Sequence, residues 1–313
     1  MEHSRRWGLT RVAALLLAVA LLSPISPLLL VSLPLAVLLL AFRPGRLLPV
    51  LVAGLLVWLI FQPAGEQSGL WYAERAWALI TAGAFILITL RWPRLRLALR
   101  SIGAVASGIA VLALFGLVRP GALGRIDWWV ASELRWTSRV VASWLAGSRS
   151  DSLIGSVSAA VAEMVELQIV LYPSLLALAT IAALCVAWYV TARLAGTEGA
   201  VGPLRDFGFS DHFIWILIGG LLLFLLPIGE LASRIGQNAL AFMGGLYIVR
   251  GAAVLAWMIP AVAVSSWAGV LWALLALLFY PIALGLALVL GVSDTWLHLR
   301  SRFGGSEGTR GST

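Results

Sequence analysis

The sequence predicts an all-α fold, a polytopic transmembrane helix bundle of about nine apolar segments with additional extracytoplasmic amphipathic helices. Three observations predict it. Hydrophobic residues fill 61% of 313 positions, charged residues 12%, and mean hydropathy is +0.98. A soluble domain carries about 45–50% apolar and about 25% charged residues, so a chain this apolar must turn its excess toward lipid. Second, apolar runs recur at lengths near the ~17–25 residues that cross a bilayer as helix. Third, the 22 basic residues are all arginine and gather at the ends of those runs, the pattern left by positive-inside topology.

Taken in order, the segments are 12–22, 28–42, 47–61, 70–90, 101–118, 172–191, 213–228, 238–264 and 267–292. The first follows Arg5 and Arg6 and contains Ala18-Val19-Ala20, a small-residue pattern like a signal-peptide cleavage site. Apolar character continues into the next segment, which favours an uncleaved helix. The second is short and carries Pro34, with Pro24 and Pro27 before it. It reads as a short tilted helix or a re-entrant piece.

Arginine sets the orientation. Arg5, Arg6 and Arg11, then Arg43 and Arg46, then Arg91, Arg94, Arg96 and Arg100, then Arg193 and Arg205 all fall on one side, taken as cytoplasmic together with the N-terminus. The opposite connections, 62–69 and 229–237, are poorer in arginine. Nine crossings place the tail outside, although it carries Arg300, Arg302 and Arg310. Either one segment does not fully span or a further crossing lies near the C-terminus. The expected location is the bacterial cytoplasmic (inner) membrane, multi-pass.

Residues 119–171 are not lipid-like and divide the chain. The expected organisation is N-terminal transmembrane helices over 1–118, an extracytoplasmic amphipathic region over 119–171, C-terminal transmembrane helices over 172–302, and a disordered glycine- and serine-rich tail over 303–313. Within the amphipathic region, Trp129, Trp136, Val140 and Trp144 recur at spacings of seven, four and four, beside Arg135 and Arg139. Such a helix suits the membrane interface. A turn is expected at Gly147 to Asp151, then a second stripe of Leu153, Val157, Val161 and Met164 with Glu163 and Glu166 nearby. The pair reads as packing helices anchored at the outer surface, or as a lid over an outward cavity.

Composition also excludes chemistry. Without lysine there is no Walker A loop and no Schiff-base lysine. His3, His212 and His298 are far apart and Cys185 is the single cysteine, which argues against a dedicated metal site. The string Gly304-Gly305-Ser306-Glu307-Gly308 matches a nucleophile elbow but lacks its strand–turn–helix setting. No apolar segment places two acids at depth. The chain is expected not to be an enzyme, to use no cofactor and to bind no nucleic acid; its net charge of +8 is explained by topology and anionic headgroups.

Charges inside apolar segments need a reason, because each costs about 2.5–3.5 kcal/mol on insertion scales. Arg250 lies twelve residues past Asn238. It either snorkels, or marks a helix boundary at Arg250-Gly251, or is buried and paired with an acid or a ligand anion. Glu74 and Arg75 stand at the outer end of segment 70–90 among Trp71, Tyr72 and Trp77. They form an interfacial ion pair in the aromatic belt or a ligand mouth. Trp71, Tyr72, Glu74, Arg75 and Arg250 are the candidate ligand-binding residues. Ala14 and Ala18, like Ala104 and Gly108, form small faces on which helices approach closely.

The C-terminal half reads Leu204-Arg205-Asp206-Phe207, then Gly236-Gln237-Asn238, then Tyr247-Ile248-Val249-Arg250-Gly251, and ends Leu290-Gly291-Val292-Ser293-Asp294-Thr295-Trp296 through Arg300. That order resembles the YybS-like family of bacterial membrane proteins. Phe207, Asn238, Gly251, Asp294, Trp296 and Arg300 are the residues that carry it. The resemblance implies a distant similarity to the substrate-binding S components of energy-coupling-factor transporters. It thereby implies a small-molecule ligand and a transmembrane transporter subunit with a separate ATPase, docked through an Ala-x-x-x-Ala face that Ala14 and Ala18 match. A non-transporting membrane scaffold or interaction protein of the envelope is the other reading.

Overall fold

The computed structural model describes residues 27–35, 69–146, 151–195, 207–262, 274 and 277–298. All regular structure among them is helical. Seven longer helices appear: α1 (Gly69–Arg91), α2 (Leu97–Val118), α3 (Ala122–Ala146), α4 (Asp151–Ala195), α5 (Ile214–Leu225), α6 (Glu230–Val262) and α7 (Tyr280–Leu297). Five stretches among the described residues are long and apolar enough to cross a membrane, in α1, α2, α4, α6 and α7.

The described residues therefore support five such segments and not the expected nine or so. Segments 12–22 and 47–61 lie outside the described residues. Segment 28–42 is described only to residue 35, where a 3-10 turn at Pro27–Val31 passes into a short helical stretch. Segment 213–228 forms the twelve-residue α5, stopped before Pro227. Of segment 267–292, residues 267–273 lie outside the described residues; a turn at Phe279 precedes the last helix, which begins at Tyr280, where Pro281 occupies the first turn that proline favours. Hydropathy counts apolar residues, and it does not register where a proline or a tight turn divides them.

The chain forms two compact units, Met1–Val201 and Gly202–Thr313. In the first, α1 and α2 are joined by a tight connection. Pro93 prevents α1 from continuing, and the Arg100 guanidinium folds back to donate to the carbonyls of Leu95 and Pro93. The core gathers Leu30, Val31, Leu33 and Leu35 from the N-terminal turn, Ala78, Ala82 and Phe85 from α1, Ala104 from α2, and Leu184 and Ala187 from α4. Small residues on α1 and α2 bring the backbones close; a Cβ at Gly108 would press into Trp77 and Thr81.

Several buried hydroxyls in this unit are tied off locally. The hydroxyls of Thr81, Ser101, Thr180 and Thr191 donate to carbonyls one turn back, as a water-free setting requires. Trp77 Nε1 donates to Thr180 Oγ1 at 2.9 Å, linking α1 to α4 through the core. α4 runs for 45 residues through Pro173, about 68 Å at 1.5 Å per residue. It is longer than a bilayer is thick, so one end stands clear of the hydrocarbon. That end carries Glu166, which holds Arg135 of α3 in a two-point ion pair at 2.8 and 3.0 Å.

In the second unit, glycine pairs set the packing. A Cβ at Gly220 of α5 would meet Ala239, and one at Gly236 of α6 would lie 2.6 Å from Gly220 O. Further along α6, a Cβ at Gly251 would overlap Ala287 O, and one at Gly291 of α7 would overlap Tyr247 O. Residue 247 faces 291 while 251 faces 287, so α6 and α7 run antiparallel. α5 and α6 do likewise, with 220 facing 236 and 239. α7 ends at His298, which takes the left-handed conformation (φ 46°) that closes helices.

Candidate functional site

Two polar clusters stand out, one in each unit. The first surrounds the start of α1. Glu74 and Arg75 are adjacent in sequence and project about 100° apart on a helix, so they engage different partners. Glu74 Oε1 accepts a hydrogen bond from the Tyr172 hydroxyl of α4 at 2.9 Å. Arg75, buried at 5% exposure, lies over the Trp71 ring, its guanidinium carbon 3.1 Å from the ring centre. Trp71 in turn meets the exposed Tyr72 edge-to-face. Trp129 of α3 packs directly on Gly69, where the absence of a Cβ admits the indole, and Glu133 of α3 lies within electrostatic reach of Glu74. The first turns of α1 thus sit between α3 and the Tyr172 turn of α4. A carboxylate, a phenol, a guanidinium and aromatic faces meet there, a composition suited to a small ligand with one polar end.

The second cluster is an ion trio. Arg250 Nε donates to Asp294 Oδ2 and Arg250 Nη1 to Asp211 Oδ1, both at 2.9 Å. The Arg250 side chain is 7% exposed, Asp294 4% and Asp211 46%. Phe209 covers the guanidinium, 5.4 Å from its ring centre, and stacks edge-to-face on Tyr247 and Phe213. The buried hydroxyls of Tyr247 and Thr295 lie beside the trio without a well-formed hydrogen bond among the described residues. The trio joins the turn before α5, the middle of α6 and the last turn of α7, and the Gly251–Gly291 approach lies within a turn of it. Of the two readings of Arg250 in the sequence, pairing with an acid is what the geometry shows.

Residues 11–295 match a family described as "Predicted membrane protein (DUF2232)". The chain belongs to the DUF2232 family. Neither a curated protein nor a solved structure matches it. This DUF2232 chain is a membrane protein with several apolar helices, in contact with lipid. Its motif residues take different places. Asp294 and Gly251 lie at the trio and the α6–α7 crossing. Phe207 stacks on Phe209, Asn238 donates to the Arg234 carbonyl one turn back, and Trp296 is 63% exposed. Arg300, Ala14 and Ala18 lie outside the described residues.

Tyr172 and Asp211 escaped the sequence reading. Asp211 follows from asking which groups could answer a charge placed in an apolar run. After residue 201 the acids are Asp206, Asp211, Glu230, Asp294 and Glu307, few enough to have paired with Arg250 by elimination. Tyr172 carries no such signal, since a tyrosine at a helix start reads first as a membrane-belt residue.

Proposed function

We propose that this DUF2232 chain is an S-component-like, small-molecule-binding subunit of a transporter, with its ligand held by the α1–α3–α4 cluster. The observation that carries the reading is the meeting of Glu74, Tyr172, Arg75 and Trp71 beside Trp129. Polar groups with distinct partners are gathered where α3 can cover them, at one end of helices that otherwise present lipid-facing side chains. The YybS-like sequence order supports the same reading. In it the ligand is small and partly apolar, and Trp71, Tyr72, Glu74 and Arg75 line its site. The chain performs no catalysis, and a separate ATPase drives transport through a transmembrane subunit docked on Ala14 and Ala18. The N-terminus lies in the cytoplasm and the chain in the bacterial inner membrane. Arg250, held by two carboxylates of its own chain, belongs to the architecture rather than to the ligand site.

The test uses the intact chain purified in mild detergent from its native membrane. Small molecules released on denaturation are identified by mass spectrometry, and co-purifying proteins are identified alongside. A retained small molecule whose yield falls in Glu74→Gln and Arg75→Gln variants, together with a P-loop ATPase lost on Ala14→Leu/Ala18→Leu substitution, supports the reading. A chain that carries neither sinks it. The second reading, a non-transporting scaffold, draws on the second unit, where the Gly220–Gly236 and Gly251–Gly291 approaches bring helix backbones together. Stable capture of envelope proteins without an ATPase or a small molecule is its outcome.

A further inference from the structure

We infer that α3 is a seat for anionic phospholipid headgroups. At 25 residues α3 is about 37 Å long, yet it is not among the stretches apolar enough to cross a membrane. It is preceded by the span of α2 and followed by that of α4, so it starts at a membrane surface and lies outside the hydrocarbon. One side is occupied. Trp129 packs on Gly69 of α1, Leu123 on Gly116 of α2, Val130 is buried, and Glu133 lies on the side toward Glu74. The remaining side carries Arg125, Trp128, Arg135, Trp136 and Arg139, whose spacing of three, seven, one and three keeps them on one face of a helix. All five are exposed, Trp128 at 67% and Trp136 at 57%, and Trp144 follows at 80%.

Two indoles and three guanidinium groups on one open face match the membrane interface in chemistry. Indoles settle at headgroup level, and guanidinium groups bind phosphate through paired donors. Arg135 is shared with Glu166. Among the described residues Arg139 bonds only the Arg135 carbonyl, and exposed Arg125 makes no side-chain hydrogen bond or ion pair. Arg125 and Arg139 are therefore the headgroup ligands. An anionic headgroup such as phosphatidylglycerol leaves its charge uncompensated for them, whereas the phosphate of a zwitterionic lipid is already balanced by its own choline.

The experiment places the full chain in nanodiscs of phosphatidylcholine containing a fixed fraction of brominated lipid, carried either on phosphatidylglycerol or on phosphatidylcholine. Bromine quenches nearby tryptophan, so enrichment beside α3 is read directly. The expected result is stronger quenching by the brominated phosphatidylglycerol. The excess disappears in Arg125→Gln/Arg139→Gln and in Trp128→Phe/Trp136→Phe, with circular dichroism unchanged in both. Each arginine near an anionic surface contributes about 1 kcal/mol, so each glutamine substitution should lower the apparent affinity for phosphatidylglycerol about fivefold. Equal quenching by the two lipids, or an excess that survives the arginine substitutions in a folded variant, overturns the proposal.

Discussion

Replacing Asp294 with alanine tests whether the ion trio holds the second unit together. The substitution leaves Arg250 Nε facing an apolar side chain at a place where only 7% of the arginine side chain meets solvent. Breaking a buried ion pair by removing one partner costs about 3–5 kcal/mol when the surviving charge is left uncompensated, and Asp211, still facing the guanidinium, offsets part of that. That stands well above the ~0.6 kcal/mol of an average interhelical hydrogen bond in a bilayer. Asp211 contacts the same guanidinium at the same distance but is 46% exposed. Water replaces much of what it supplies, and Asp211→Ala should cost about 1 kcal/mol or less. The double variant Arg250→Met/Asp294→Ala removes both buried charges and keeps the volume, so it should recover most of the loss. Unfolding in phospholipid bicelles titrated with sodium dodecyl sulfate, followed by circular dichroism, measures all four proteins. An Asp294→Ala variant within ~1 kcal/mol of the parent would refute the reasoning. So would a double variant no more stable than Asp294→Ala alone.

Three further outcomes follow from the packing. Gly251→Ala and Gly291→Ala push a methyl into a facing backbone carbonyl and should each cost about 1–3 kcal/mol by overpacking. Gly244→Ala and Gly285→Ala, where a Cβ meets nothing within 4 Å, should be neutral or stabilise by up to ~1 kcal/mol through helix propensity. Bicelle unfolding separates the two pairs. Thr180→Val strands the buried Trp77 indole N–H and should cost about 1–3 kcal/mol, with part of the loss recovered in Trp77→Phe/Thr180→Val, where both partners are apolar. Glu166→Gln opens an ion pair whose side chains are both more than half exposed and should leave the thermal midpoint unchanged.

The class of fold was legible because it follows from quantity: too much apolar surface for water, in lengths that fit a bilayer. Helix α3 was legible too, since Trp129, Trp136 and Trp144 mark a face no lipid-spanning helix needs. The ends of elements were less so. Tyr280 opens a helix inside an apolar run because Pro281 fixes the backbone there, and a hydropathy window spreads that single residue over its neighbours. Glu74 and Arg75 were visible as charges in an aromatic setting. Their partners were not, because Tyr172 lies 98 residues away from Glu74 and only the packing of α4 against α1 brings it near. Asp294 drew attention as part of a sequence motif and Arg250 as a misplaced charge. That the two are one feature depends on the antiparallel contact of α6 with α7, which the absence of side chains at Gly251 and Gly291 permits.

Two arguments agree that α5 enters and leaves the membrane on one side. The helix is twelve residues long, about 18 Å, or about 24 Å with the 3-10 turn at Asp211–Phe213 before it. Either length falls short of the ~30 Å hydrocarbon core. Arginine placement supplies the second argument. If α5 crosses, Arg205 lies on one side of the membrane while Arg234, Arg300 and Arg302 lie on the other. If α5 enters and leaves on the same side, all four share one face, and the connection between α6 and α7 carries no arginine at all, the asymmetry that the positive-inside rule favours. A re-entrant α5 also explains the company of Arg250. The Asp211 turn then lies at depth, where an arginine in α6 needs a carboxylate and where Phe209 shields the pair. Irregular backbone is tolerated at depth only when protein covers it, and Phe209 is 7% exposed. With Cys185 replaced by serine, single cysteines at Gly202, Gly229, Gly269 and Ser306 decide the matter. A membrane-impermeant maleimide applied from outside intact cells should label only the cysteine at 269, and labelling at 229 with protection at 202 would show instead that α5 crosses.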